Sequence, residues 1–392
     1  MAKGIDGKEK SVTTPRVAIA HDYLTQRGGA EKVVLAMSHA FPEAPIYTTL
    51  YDPASTYPEF ADLDVRVSRL NKVGFLRSRH RAALPLLPFA SSSIYIDADV
   101  VLSSTSGWAH GFRASGHKLA FCHSPARWLY MPDVYLGQGS LLKRAALRAA
   151  SPLLKAWDRR AAASCDQYVA ISKVVQRRIS DVYGIDAPIV YPPVAMSRSD
   201  AVEPICEVRR WADSLGDDGS FYLCVSRLLP YKNVDAVVKA FAGGARKLVV
   251  VGRGPEAARI RDLKTANVLL LSDLSNNNLA WLYDNCRAVI AASYEDYGLT
   301  PIEAGIWGKP TVALRWGGFL DTVAEGVTGV FFDQPDPSSI ESALDRLEAS
   351  SFVADHIRRH VEQFSEERFI DALDALVADS MNASERDKQR LG

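Results

Sequence analysis

The sequence predicts an α/β protein made of two doubly wound, Rossmann-like parallel-sheet domains that face each other across a cleft. Short apolar strands alternate with helical stretches in two successive blocks, the pattern of parallel sheets covered by helices. The pair Pro192-Pro193 separates the blocks, because two prolines disfavour a continuing helix. Charge divides there too: residues 1–194 carry 24 Lys and Arg against 16 Asp and Glu, whereas residues 195–392 carry 22 against 30.

The first block defines an N-terminal domain at 15–193. Its strands are predicted as short apolar runs bounded by turn residues, at 16–21, 46–50, 100–103, 119–122 and 168–171. Helices are predicted at 28–40 and 140–163. The polar, lysine-bearing residues 1–14 precede this domain; they lack the apolar core of a signal peptide, and we expect a disordered tail.

The second block defines a C-terminal domain at 194–364, followed by a helical segment at 365–392. Its strands are predicted at 221–225, 247–251, 268–271, 288–292 and 311–314. Its helices begin near Asn233, Pro255, Asn278, Thr300 and Leu320. Ligands of open α/β sheets bind at the carboxyl ends of the strands, so we expect the site in the cleft between the domains.

Composition places the chain among ordinary globular proteins. It has 392 residues, of which 47% are hydrophobic and 23% charged. No apolar run reaches the roughly 18 residues of a membrane span. The five cysteines are scattered without a C-x-x-C pair, which suits a reducing cytosol. No carboxylate or histidine cluster has the spacing of a metal site.

The most informative segment is SYEDYGLTPIEA at 293–304, which holds two carboxylates, Glu295 and Glu303. We predict Thr300 as the N-cap and Pro301 as the first residue of a helix that starts after a buried strand. A helix N-terminus there suits an anionic ligand, and the carboxylates suit a ligand that also offers sugar hydroxyls. The alternative is a capping box, in which Glu303 only bonds the backbone amide of Thr300.

Two cations, Arg227 and Lys232, lie between a predicted strand and the helix after it. Two cations beside the positive end of a helix repel each other unless they share an anion. A diphosphate fits, because arginine offers a bidentate fork and lysine a compact charge. Two solvated loop cations explain the motif equally well.

Turns after three other strands supply further candidates. Gly252 lies in a Gly-x-Gly turn that lacks the third glycine of a dinucleotide fingerprint and fits a turn beside a nucleotide base. Gly28 and Gly29 open a helix where backbone amides can approach a phosphate, although a plain tight turn also explains them. His123 follows a strand whose carboxyl end faces the predicted cleft, yet most lone histidines are structural.

Together these motifs resemble the signature of the retaining glycosyltransferases of the GT-B fold, family GT4, over residues 16–364. More narrowly, the segments 21–24 and 122–127 resemble bacterial mannosyltransferases of exopolysaccharide and O-antigen assembly. One departure is Asp296, where many members have a small residue.

The resemblance implies roles for the individual residues. Glu303 would bind the donor ribose, Glu295 the hydroxyls of the transferred sugar, and Arg227 and Lys232 the leaving diphosphate. Catalysis would involve these two cations with Glu295 and His123. Further donor contacts would come from Gly28, Gly29, Gly252, Gly298, Leu299 and Thr300. The family works without a metal, so no cofactor is expected, and its last helix crosses back to the N-terminal domain, here at 367–379.

The implied function is hexose transfer from a nucleotide sugar in cell-surface polysaccharide synthesis. Mannose from GDP-mannose is the first candidate donor, and a glycan or polyprenyl-diphosphate-linked saccharide the acceptor. The alternatives are a UDP-sugar-dependent transferase with a soluble acceptor, and a sugar-nucleotide-binding protein of the same fold without turnover. The presence of both glutamates and both cations favours the enzyme.

Basic segments with apolar neighbours predict contact with an anionic membrane. The cations of the first segment, which has no acidic residue, are Arg66, Arg69, Lys72, Arg77, Arg79 and Arg81. The helix at 140–163 adds six cations against Asp158 alone. Such segments suit anionic headgroups, although a solvated basic face explains them almost as well. We expect a cytoplasmic protein, or a peripheral one at the inner face of the plasma membrane, without a nucleic-acid partner.

Overall fold

The computed structural model describes residues 14–78, 83, 86–131, 141–194, 196–198, 201–216 and 219–391. The predicted tail at 1–14 lies outside these residues except for Thr14. Among the described residues, no helix is both long and apolar enough to cross a membrane.

The first sheet is built from parallel strands, as the first block of the sequence predicts. Its members and those of a small two-stranded pair are β1 Val17–His21, β2 Ile46–Thr48, β3 Val65–Val67, β4 Tyr95–Ile96, β5 Val100–Thr105, β6 Arg113–Ala114, β7 His117–Cys122 and β8 Gln167–Ala170. The order is β3-β2-β1-β5-β7-β8, with β4 and β6 forming the separate pair. Ile19 of the central strand lies opposite Ile46 on one side and Leu102 on the other.

The second sheet repeats this arrangement with the order β11-β10-β9-β12-β13-β14. Its strands are β9 Tyr222–Val225, β10 Leu248–Val251, β11 Val268–Leu271, β12 Val289–Ala291, β13 Thr311–Leu314 and β14 Gly329–Phe332. Strand β10 shows why these strands are continuous apolar runs. Leu248 and Val250 pack into one core with Phe241, whereas Val249 and Val251 pack into another with Trp281. Both faces of the sheet are therefore buried.

Helices follow most strands, as doubly wound sheets require. They are α1 Gly29–Ala40, α2 Gly74–Ser78, α3 Leu87–Ser93, α4 Arg127–Tyr130, α5 Leu141–Ala163, α6 Lys173–Tyr183, α7 Cys206–Ser214, α8 Val234–Phe241, α9 Ala257–Leu263, α10 Asn276–Asn285, α11 Leu299–Ile306, α12 Phe319–Thr322, α13 Pro337–Glu348, α14 Ala354–Val361 and α15 Glu366–Leu391. The last helix extends well beyond the predicted 367–379.

Contacts divide the chain into two compact units. One comprises 1–121, 152–167 and 373–392, and the other comprises 122–151 and 168–372. This division groups 122–151 and 168–193 with the second unit, whereas the predicted boundary at 193 follows the strand–helix pattern. The domain limits at 15–193, 194–364 and 365–392 stay a prediction.

Candidate active site

The segment after β9 carries the two predicted cations in different environments. Arg227 is exposed, whereas Lys232 ends a short 3-10 turn and is only 8% exposed. Asn233 follows in the left-handed region at φ 53° and donates from Nδ2 to the carbonyl of Ala292 at 2.8 Å. This bond holds the turn against the end of β12, where the predicted carboxylate segment begins.

Glu295 lies directly beside Lys232. The ammonium group of Lys232 donates to Oε1 of Glu295, and the hydroxyl of Ser293 donates to the same oxygen at 3.0 Å. The sequence predicts an anion shared between Arg227 and Lys232. In the structure, Glu295 supplies a negative charge to Lys232, 63 residues away along the chain.

Tyr231 lies between the two cations. Its hydroxyl is 3.4 Å from Nη2 of Arg227, and its ring centroid is 5.1 Å from Nζ of Lys232. Tyr231 therefore contacts both cations, Arg227 through its hydroxyl and Lys232 through its ring.

The predicted helix start, with Thr300 as N-cap and Pro301 as first residue, is wrong, and the alternative capping box at Thr300 and Glu303 does not form. Helix α11 begins at Leu299, with Gly298 as its N-cap, so Thr300 and Pro301 are the second and third helical residues. Gly298 has φ 89°, and a Cβ there would lie 2.5 Å from the Phe319 ring, so only glycine fits this early helix start.

Glu303 instead accepts a hydrogen bond from the hydroxyl of Tyr283 at 2.6 Å. Tyr283 is fully buried, and burial together with the Glu303 charge raises the pKa of its hydroxyl well above the usual value. The tyrosine therefore stays a donor and orients the half-buried carboxylate. The assignment of Glu303 to a ribose stays a prediction.

The turn Gly317-Gly318 supports the carboxylate segment from its other side. The amide of Gly318 donates to the carbonyl of Glu295 at 2.9 Å. A Cβ at Gly317 would lie 2.2 Å from the same carbonyl oxygen, and one at Gly318 would lie 2.1 Å from that of Tyr297. These glycines allow two backbones to meet, so packing explains them without a ligand.

Asp296, the departure from the family pattern, forms a buried ion pair that sequence reasoning did not find. Its carboxylate lies 2.5 Å from Nη1 of Arg178 and 3.2 Å from Nη1 of Arg127. The hydroxyl of Ser172, which also caps α6, donates to the backbone carbonyl of Asp296 at 2.5 Å. The turn that carries Glu295 is thus fastened to α6 at two points.

His123 lies half-buried in the turn between β7 and α4. The next residue, Ser124, accepts a hydrogen bond at its Oγ from Arg178 at 3.1 Å, and the same nitrogen of Arg178 binds Asp296. Arg178 therefore links the turn of His123 to the turn of Glu295. The catalytic role of His123 stays a prediction.

Packing accounts for Gly252 at the end of β10. A Cβ there would lie 1.9 Å from the backbone oxygen of Ser226. The neighbouring turns are joined by a hydrogen bond from the amide of Leu228 to the carbonyl of Arg253 at 2.8 Å. A nucleotide contact at Gly252 stays a prediction.

In the other unit, Gly28 is the N-cap of α1 and Gly29 its first residue. The buried carboxylate of Glu31 lies beside them, with Oε2 at 2.6 Å from where a Gly28 Cβ would be. Burial acts to raise the pKa of Glu31, but hydrogen bonding and charge from His21 outweigh it, so the pKa lies below its ordinary value. A negative charge already at this helix start opposes a phosphate there. Gly28 and Gly29 as donor ligands stay a prediction.

Comparison with known families agrees with this geometry. The family described as Glycosyltransferase Family 4 matches residues 27–198, and the one described as Glycosyl transferases group 1 matches residues 208–368. Curated relatives include a D-inositol 3-phosphate glycosyltransferase of Acidothermus cellulolyticus, 28% identical over 260 residues that cover 59% of this chain and 58% of that protein. The O-antigen chain mannosyltransferase C of Escherichia coli is 24% identical over 223 residues, covering 54% and 58%. The chain thus spans little more than half the length of these relatives.

Solved structures share the fold over almost the whole chain. The lipopolysaccharide outer core galactosyltransferase WaaB superposes with a TM-score of 0.62 and 17% identity over 94% of this chain and 99% of WaaB. Anabaena HepE in complex with UDP-glucose superposes with a TM-score of 0.67 and 16% identity over 94% of this chain and 100% of HepE. With two parallel sheets, these neighbours and both family matches, the chain belongs to glycosyltransferase family 4 and has the GT-B fold.

Proposed function

We propose that this chain is a retaining glycosyltransferase that moves a hexose from a nucleotide sugar to a glycan acceptor. The contact between Lys232 and Glu295 carries the proposal. It places a cation suited to a leaving diphosphate beside a carboxylate suited to sugar hydroxyls. Arg227 adds a second cation on the same segment, and Glu303, oriented by Tyr283, is suited to ribose hydroxyls.

In this reaction the bond between sugar C1 and the diphosphate oxygen breaks, and the acceptor oxygen bonds to C1 on the same face. The bonding electron pair leaves with the diphosphate, whose oxygen takes the acceptor proton. Negative charge grows on the diphosphate as the bond lengthens, so preorganised cations lower the barrier. Arg227 and Lys232 supply that charge, and we propose that no metal is required.

The donor is proposed as a nucleoside-diphosphate hexose, with GDP-mannose as the first candidate. The E. coli relative named as an O-antigen mannosyltransferase supports mannose, whereas the HepE complex with UDP-glucose supports a UDP-hexose. A thermal-shift panel of GDP, UDP, ADP and CMP separates these donors. We expect one nucleoside diphosphate to raise the melting temperature above the others, and no shift with any of them contradicts the donor site.

The acceptor is proposed as a lipid-linked saccharide at an anionic membrane surface. Phe89 on α3 and Leu153 on α5 are 75% and 79% exposed. Their helices are joined by a hydrogen bond from the indole of Trp157 to the hydroxyl of Ser92 at 3.0 Å. Exposed apolar side chains suit insertion between charged headgroups, and α5 also carries the cations Arg148, Lys155, Arg159 and Arg160.

The basic segment at 66–81 offers less uncompensated positive charge to a membrane than its sequence suggests. Arg66 pairs with Asp64 at 2.7 Å, so its charge is compensated. Arg69, Lys72 and Arg77 lie in described turns and helices. Arg79 and Arg81 lie outside the described residues, as do the side chains of Lys143 and Arg144.

Co-sedimentation with anionic vesicles tests the membrane contact. We expect binding at low salt that weakens as salt rises and falls when Arg77, Arg79 and Arg81 are all changed to Glu. A control with Arg209, Arg210 and Arg261 changed to Glu carries the same charge change in the other unit. Native protein that stays in the supernatant at low salt contradicts the proposal and favours a soluble acceptor.

A sugar-nucleotide-binding protein without turnover is the second candidate, because the same fold hosts both activities. A binding protein of this kind would bind the nucleotide sugar without cleaving the bond between the sugar and the diphosphate. Release of nucleoside diphosphate from the donor, measured with and without a glycan acceptor, separates the two functions.

A further inference from the structure

A cavity of about 250 Å³ adjoins the turn of Glu295. Its lining consists of the aromatic residues Tyr231, Tyr294 and Trp316, of Met131, and of the charged residues Arg127, Arg178 and Asp296. All of these residues belong to one compact unit.

Two of the aromatic side chains that line the cavity pack against each other at a right angle. The rings of Tyr294 and Trp316 meet edge to face, with centroids 5.2 Å apart and planes at 89°. The guanidinium of Arg178 lies 5.9 Å from the centre of the Trp316 ring and is itself held by Asp296. This packing leaves little freedom to Trp316, so the cavity is preorganised.

The aromatic walls match the faces of a saccharide ring. Such a ring presents C–H groups on its faces and hydroxyls around its edge. Aromatic side chains cover the C–H faces, and the surface of the cavity is almost wholly apolar.

The cavity is distinct from the groups proposed for the donor. Among the described residues that line it, Arg227, Lys232 and Glu303 do not occur. Tyr231 forms the boundary, since its ring also lies 5.1 Å from the Lys232 ammonium group. Tyr294 and Asp296 flank Glu295 in the chain, so a ring in the cavity lies beside the place proposed for the transferred sugar.

We propose that this cavity binds the acceptor ring that carries the reacting hydroxyl. This assignment rests on the proposed function, because it takes Glu295 as the ligand of the transferred sugar. Trp316 then determines acceptor affinity without contributing to binding of the nucleoside diphosphate.

Saturation-transfer NMR with methyl α-mannopyranoside and methyl α-glucopyranoside tests the proposal, with and without GDP or UDP. We expect ring-proton signals from at least one glycoside, and an affinity about tenfold lower for Trp316→Leu. Trp316→Phe, which keeps a ring, should retain most of the signal. Trp211→Leu is the matched control, because Trp211 is half-buried on α7 and bonds the carbonyl of Ala266 at 3.0 Å.

Three results overturn the assignment. The first is the absence of a ring-proton signal for both glycosides with the native protein, and the second is a signal that Trp316→Leu leaves unchanged. The third is a loss of GDP or UDP affinity in Trp316→Leu as large as the loss of glycoside affinity, which makes the cavity part of the donor site. If the native protein binds a glycoside but no nucleotide, the proposed function fails while the saccharide site stands.

Discussion

Replacing Asp296 with asparagine removes the negative charge that holds two arginines against the turn of Glu295. The Asp296 side chain is 10% exposed, and its partner Arg178, at 2.5 Å, is 14% exposed. Arg127, at 3.2 Å, is 34% exposed. The variant keeps the shape and one acceptor oxygen, so it tests the charge rather than the volume.

The ion pairs of Asp296 with Arg178 and with Arg127 contribute unequally to the free energy of unfolding. Removing one partner of a buried pair costs about 3–5 kcal/mol, whereas an exposed pair contributes about 0–1 kcal/mol. The pair with Arg178 is close to the buried case, and the pair with Arg127 is closer to the exposed case. Because asparagine retains a hydrogen bond, we expect the free energy of unfolding to fall by about 2–3 kcal/mol.

Urea denaturation followed by fluorescence measures this loss. The control is Asp333→Asn, which breaks an exposed pair with Arg315 at 2.9 Å, where Glu325 still holds the arginine. We expect the control to lose less than about 0.5 kcal/mol. Turnover of Asp296→Asn should fall about tenfold, because a displaced Glu295 turn misaligns the sugar. Equal unfolding free energies for the two variants refute the reasoning.

Three further perturbations have expected outcomes. Glu303→Gln keeps an acceptor for Tyr283 but loses the charge, so calorimetry should show nucleoside diphosphate affinity lower by about 1–2 kcal/mol; unchanged affinity with intact folding excludes the ligand role. Arg227→Ala should lower turnover about 10²-fold, whereas EDTA should leave native turnover unchanged; loss with EDTA and rescue by magnesium or manganese contradicts the metal-free proposal. Hydrogen bonds from Arg246 lower the pKa of Glu348 from 4.5 to about 2. Its stabilisation is therefore complete above pH 4.5 and lost as pH falls towards 2, and Glu348→Gln should flatten stability over that interval.

Local pattern predicts the strands that are short apolar runs bounded by turn residues. Strands β11 and β13 match their predicted limits for this reason, although β11 is an edge strand with only Val268 buried. The sequence does not predict β3 and β14, nor the two-residue strands β4 and β6. Strand β3 is three residues long with Arg66 at its centre, and β14 has only three apolar residues after Gly329.

Contacts between residues that are far apart in the sequence form most of the site. Lys232 and Glu295 are 63 residues apart, and Arg178 and Asp296 are 118 apart, so neither pair leaves a local signal. Helix α11 begins two residues before its predicted start, because Gly298 packs against Phe319 as the N-cap, and Glu303 therefore has no capping role. The residue types of the site were predictable, whereas their partners required the fold.

We propose that Lys232 and Glu295 act together in retaining transfer of a sugar from a nucleotide donor. Anomeric NMR of the products measures the outcome of this transfer, with GDP-mannose and UDP-glucose as donors and a glycan acceptor present. We predict acceptor-dependent release of nucleoside diphosphate and a product whose anomeric configuration matches the donor, both lost in Glu295→Gln. A product of inverted configuration, or consumption of donor that is unchanged in Glu295→Gln, contradicts the claim.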